Sequence, residues 1–220
     1  MEPVRLLIHP GEGEYEEKKS RFLALALPVK SEAEAQAAIL ARRKAHPDAR
    51  HHCYAFVTGA SHELMRSSDD GEPSGTGGRP ILEALLGSGL HNALVVVTRY
   101  FGGTLLGTGG LSRAYSAAAC AALQAAGAAE LYRGSCWQVM ASYGDYTRLS
   151  RLLDQMDLAR EEAEFGTDVT QRVFLLPEQE TAFLTQLADA TSGEAVCEKE
   201  ADCWFLRQEK RAILQDAPFG

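Results

Sequence analysis

Residues 95–119, VVVTRYFGGTLLGTGGLSRAYSAAA, constrain this chain more than any other stretch. An apolar run enters, and Gly102, Gly103, Gly107, Gly109 and Gly110 follow within a few positions. An alanine-rich amphipathic segment leaves. The pattern predicts a buried strand, a glycine turn and a helix. A bare backbone accepts conformations closed to other residues and lets a ligand approach without a Cβ in the way. The helix start adds free N–H groups and a partial positive charge, which suits an anion. Arg99 stands at the strand exit and Arg113 in the first helical turn, so both guanidinium groups are expected to meet one phosphate or carboxylate. A tight turn with a close helix–strand crossing accounts for the same glycines without a ligand. Two nucleotide motifs fail here. Gly102 and Gly107 have P-loop spacing, but Thr108 stands where the lysine belongs, and Gly107 and Gly109 are followed by Ser112 where GxGxxG needs glycine.

Composition bounds the rest. At 220 residues and 45% hydrophobic content the chain can bury a core without staples. Its five cysteines include no CxxC pair, which argues against a disulfide framework or a structural zinc site. No apolar run approaches a membrane span and the first 20 residues lack a signal-like stretch, so a cytoplasmic location with no membrane partner is expected. The net charge is −8, and it is unevenly spread: residues 1–134 hold 14 Lys+Arg and 14 Asp+Glu, residues 135–220 hold 8 and 16. This asymmetry suggests two units with different surfaces. The boundary is expected near residue 135, where an alanine-rich helix gives way to Gly127, Gly134 and a strand-like run.

The second part reads as strand (136–143), helix (144–156, Asp145 as N-cap), a hairpin around Gly166, helix (178–190) and a last strand or bent pair (194–206). This β-α-β-β-α-β order is the ferredoxin-like pattern. The tail from Arg207 looks like a surface extension. In the first part, a strand is expected over 21–29, a helix over 31–46 opened by the capping box Ser31…Glu34, and a strand over 51–59. HELMRSS is read as pairing with that last strand across the Gly-Ala-Ser turn at 59–61. A short helix carrying Pro80 near its start follows. The fold class is therefore α+β in two domains, 1–134 and 135–220.

Two further stretches carry polar chemistry. The loop SSDDGEPSGTGGRP (67–80) is long for a compact domain and free of periodic apolar residues. Asp69, Asp70 and Glu72 could bind a divalent cation, but a solvated acidic turn is the favoured reading of them. His51, His52 and Cys53 alternate on a strand, so neighbouring side chains cannot share one metal. His52 is the better functional candidate and Cys53 a poor nucleophile candidate.

KKSRF (18–22), HHCYAF (51–56), DDGEPSGTGGRPIL (69–82) and VVVTRYFGGTLLGTGGLSRAYS (95–116) together resemble the IMPACT family in its bacterial, YigZ-like form. The likeness spans about residues 15–125, and Gly77 departs from an expected alanine. The resemblance implies an N-terminal α/β domain like domain 2 of a small-subunit ribosomal protein, and a C-terminal domain like the last domain of elongation factor G. It also implies a surface on Lys19, Arg21, His52, Asp69, Asp70, Gly71, Glu72, Arg99, Tyr100, Gly102, Gly103 and Arg113, beside Gly107, Gly109 and Gly110 of the glycine turn. Eukaryotic relatives regulate translation through an additional N-terminal domain, so that specific role does not carry over. The expectation is a non-enzymatic binding or regulatory protein of translation, meeting RNA, the ribosome, a translation factor or another protein, with no cofactor and no metal. Tyr100 or Phe101 would stack on a base and Lys19, Arg21, Arg99 and Arg113 would contact phosphates. A metal-dependent hydrolase or phosphotransferase acting on a phosphorylated small molecule, with His52 as base, is the rival. Oligomeric state is not legible.

Overall fold

A computed structural model describes residues 3–59, 62–208 and 210–217, with the side chain of 208 also outside the description. The chain divides into two compact units, Val4–Ala129 and a second whose sequence starts at Glu130.

The first unit contains β1 (Val4–Leu7), β2 (Gly11–Glu17), β3 (Ser20–Pro28), α1 (Glu32–Ala45), β4 (His51–Thr58), β5 (Leu64–Ser68), α2 (Gly78–Gly87), β6 (Ala93–Tyr100) and α3 (Gly107–Ala126). Its five-stranded sheet runs β2-β3-β6-β4-β5, antiparallel throughout. β6 lies at the centre, which is why Ala93–Thr98 is uniformly buried. Alternation divides its side chains: Leu94 and Val96 pack with Ile39 of α1, and Val95 and Val97 pack with Leu85 of α2 and Tyr115 of α3.

β1 and β2 are the strands of this unit that sequence patterning misses, and β2 shows why. Its sequence, GEGEYEE, shows no apolar alternation. Glycine is required there because α3 lies against its backbone: a Cβ on Gly11 would sit 2.2 Å from Ala126 N, and one on Gly13 2.4 Å from Ala122 N. The inner stripe Ala118, Ala119, Ala122 and Ala126 is the helix side of the same close approach. The turn proposed at 59–61 falls largely on residues 60 and 61, outside the described residues, but β5 does pair with β4.

The second unit follows the ferredoxin-like order. β7 (Ala128–Ala141), α4 (Tyr143–Gln155), β8 (Ala159–Arg160), β9 (Glu164–Phe165), β10 (Val169–Leu175), α5 (Pro177–Thr191) and β11 (Val196–Gln208) succeed one another. β7 is flanked by β11 and β10, and both helices pack Leu149, Leu153, Phe183 and Leu187 onto Val139 and Val173. Two local expectations change. Ser142, not Asp145, caps α4, accepting from Asp145 N at 3.2 Å. Part of the supposed tail is a strand, β12 (Arg211–Gln215), which pairs with β11 and buries Ala212 against Phe174 and Phe205. No helix among the described residues is long and apolar enough to cross a membrane.

Candidate functional site

The end of β6, the turn after it and the start of α3 enclose an open groove of about 810 Å³. Its walls include Arg50, His51, Glu72, Arg99, Phe101 and Thr108. Phe101 is 56% exposed and Leu105 is 83% exposed, unusual positions for large apolar side chains.

Beneath them lies a buried polar network. Arg99, only 6% exposed, donates from Nη1 to Glu72 Oε1 at 2.7 Å, and Tyr115 OH donates to the same oxygen at 2.8 Å. The Arg99 guanidinium lies 5.5 Å from the ring centres of both Phe22 and Phe101. Its Nε is buried and has no hydrogen-bond acceptor among the described residues. Burial drives the Tyr115 hydroxyl pKa far up, so it remains a donor.

The acidic loop organises itself from within. Asp69 Oδ1 accepts from the amides of Gly77 (2.9 Å) and Gly78 (2.8 Å), and Oδ2 from Gly75 (2.8 Å). Asp69 thereby closes the N-terminus of α2. Burial disfavours its charge, but the amide donors outweigh that effect and hold its carboxyl below the usual range. Asp70 accepts from Arg43 Nη2 at 2.5 Å and from His52 N at 2.6 Å. Each of the three carboxylates thus has its own internal partners, and no group of His, Cys, Asp or Glu among the described residues is arranged to hold a metal ion.

Several expected site residues take other places. Arg99 and Arg113 do not converge on one anion as free cations: Arg99 is buried on Glu72, and Arg113 is exposed beside Gly109. Strand alternation turns His51 into the groove and His52 onto the α1 side, where it is 3% exposed with Nδ1 3.1 Å from Thr98 Oγ1. Burial, and then the nearby Arg43, lower the His52 pKa. Arg21 is bound to Glu14 at 2.8 Å. Tyr100 sits at the groove with its hydroxyl 2.9 Å from His46 Nδ1. Cys53 donates to Asp69 O, and burial pushes its thiol up to about 12.

The glycine turn itself is accessible: Gly103, Gly107 and Gly109 are exposed, and Gly102 and Gly110 half-buried. Gly102 is needed for a close crossing, since a Cβ there would lie 2.1 Å from Lys19 C, and its N–H donates to Ser20 Oγ at 3.1 Å. That crossing brings the Lys18–Lys19 turn against the glycine turn. Lys18, Lys19, Arg50 and Arg113 are all exposed, and among the described residues none of them is in an ion pair. Sequence reasoning missed Arg50, because no spacing in the chain signals that it lines the groove with Phe101 and the start of α3.

The Impact N-terminal domain matches residues 18–123, and a domain of unknown function, DUF1949, matches 139–194. The chain is 38% identical to "IMPACT family member YigZ" of Escherichia coli over 80% of its length and 87% of that protein. It is 34% identical to "IMPACT family member YvyE" of Bacillus subtilis, covering 93% and 94% of the two chains. A solved structure described as "Crystal structure of an hypothetical protein" superposes with a TM-score of 0.58 at 36% identity, over 90% of this chain and 97% of that one.

Proposed function

From the premise that this chain belongs to the IMPACT family, we propose that it is a non-enzymatic, translation-associated protein that holds an unpaired RNA strand in the groove of its N-terminal unit. Family membership supports a translation-related regulatory role. The RNA contact is the finer step, and one observation carries it: an exposed aromatic ring, Phe101, lines a groove together with the exposed Arg50, and the glycine turn beside it lies against the Lys19 backbone and the exposed Arg113. Single strands are bound by this combination, with bases stacked on aromatic faces and phosphates following a basic track. Arg99 supports the ring from beneath, and Lys18, Lys19, Arg50 and Arg113 supply the phosphate contacts.

The acidic second unit suits contact with protein better than with a phosphate backbone. The experiment is a titration of a fluorescently labelled, unstructured RNA oligonucleotide with the whole protein. Binding that weakens in Phe101→Ala and in Lys19→Ala supports the reading. Absence of binding at low salt, or affinity unchanged in both variants, contradicts it.

A further inference from the structure

His51 opens β4 and lines the groove together with Phe101 and Arg50. It stands directly opposite Arg99 across the β4–β6 ladder, so the two side chains share one face of the sheet. The Arg99 guanidinium in turn lies 5.5 Å from the centre of the Phe101 ring. A nucleotide stacked on Phe101 thus carries its ribose into the same groove as this imidazole.

One hydrogen bond fixes the chemistry of the ring. Its Nδ1 lies 2.9 Å from the backbone oxygen of Asp70. A carbonyl oxygen only accepts, so Nδ1 carries the hydrogen and donates. In the neutral ring Nε2 is then left with a lone pair and no hydrogen. Nε2 is open to solvent, and among the described residues it has no hydrogen-bond partner. The loop that supplies the Asp70 carbonyl is itself tied down by Asp69, so the imidazole is held from behind by fixed backbone.

An oriented acceptor of this kind calls for a hydroxyl or N–H donor. A phosphate oxygen has no hydrogen to give it. The ribose 2′-hydroxyl does, and it is the group that separates RNA from DNA. Resting on the RNA reading above, we propose that His51 Nε2 accepts a hydrogen bond from a ribose 2′-hydroxyl and makes the groove selective for RNA over single-stranded DNA.

The test titrates one oligonucleotide sequence in 2′-hydroxyl, 2′-fluoro and 2′-deoxy forms into the whole protein at about pH 8, where an ordinary imidazole is neutral. A 2′-fluoro sugar keeps the RNA-like pucker but cannot donate. The 2′-hydroxyl form binds about fivefold tighter than either of the others, the worth of one neutral hydrogen bond. In His51→Phe, which keeps a flat ring, the three affinities converge to within about twofold. Asp48 is another acceptor lining the groove, and Asp48→Ala keeps the wild-type ratio.

Equal affinity for the 2′-hydroxyl and 2′-fluoro forms in the wild-type protein overturns the inference and leaves strand binding intact. So does a preference that survives in His51→Phe, with thermal melting confirming that the variant is folded, or one that is lost in Asp48→Ala. No binding of any form overturns this inference and the RNA reading together.

Discussion

Arg99 Nη1 and Glu72 Oε1 lie 2.7 Å apart, and both side chains are almost wholly buried beneath the exposed ring of Phe101. Removing one partner of such a pair strands the other charge away from water. Glu72→Ala is expected to destabilise the protein by about 3 kcal/mol, read from urea unfolding. The paired replacement Glu72→Leu with Arg99→Leu should recover much of that loss, because two uncompensated burials are removed at once. A Glu72→Ala variant as stable as wild type would show that the pair does not hold the loop to the sheet.

Cys53 and Gly77 form a second interlocked pair. A Cβ on Gly77 would lie 2.4 Å from Cys53 Sγ and 2.9 Å from its Cβ. Gly77→Ala restores the alanine expected at that position yet overpacks the site, at a cost of about 1–3 kcal/mol. With Cys53→Ala in the same chain the closest clash disappears, and the cost of the glycine change should shrink by more than half. Thermal unfolding of the two single variants and the double variant measures this coupling directly.

Asp69 links the loop to pH. Its folded-state pKa is depressed, so its contribution is present above the unfolded carboxyl pKa and is lost as pH falls through the folded one. Wild-type stability should therefore decline in acid more steeply than that of Asp69→Asn, which loses about 1–2 kcal/mol at neutral pH and does not titrate. Parallel pH–stability curves would contradict this role for Asp69.

Phe101 is exposed, so Phe101→Ala should change stability by less than about 0.5 kcal/mol. RNA affinity should fall by about 1–3 kcal/mol, the usual worth of a base–aromatic stack. Loss of stability without loss of affinity would make the ring a structural prop instead.

How far the sequence discloses this protein differs from element to element. The central strand β6 and the helix α3 are legible because apolar runs and helical stripes are strong signals. β2 is hidden, since its inner face is glycine and its outer face glutamate, and neither pattern resembles a strand. β12 is hidden because it is short and mostly exposed. At the site, the glycine turn was visible as a backbone feature. The fate of Arg99 was not: its partner Glu72 is 27 residues away, brought close by the loop that Asp69 ties together. The alternation of His51, His52 and Cys53 is legible, but not which face of the strand meets the groove. The structure puts the face of His51 and Cys53 on the groove side and His52 opposite.

The salt dependence of RNA binding tests the central claim most directly. With Lys18, Lys19, Arg50 and Arg113 each meeting a phosphate of a single strand, log Kobs plotted against log salt should have a slope of about −3, and each alanine replacement should make it shallower by about 0.7. A slope near zero, or one that none of the four replacements alters, would contradict the account.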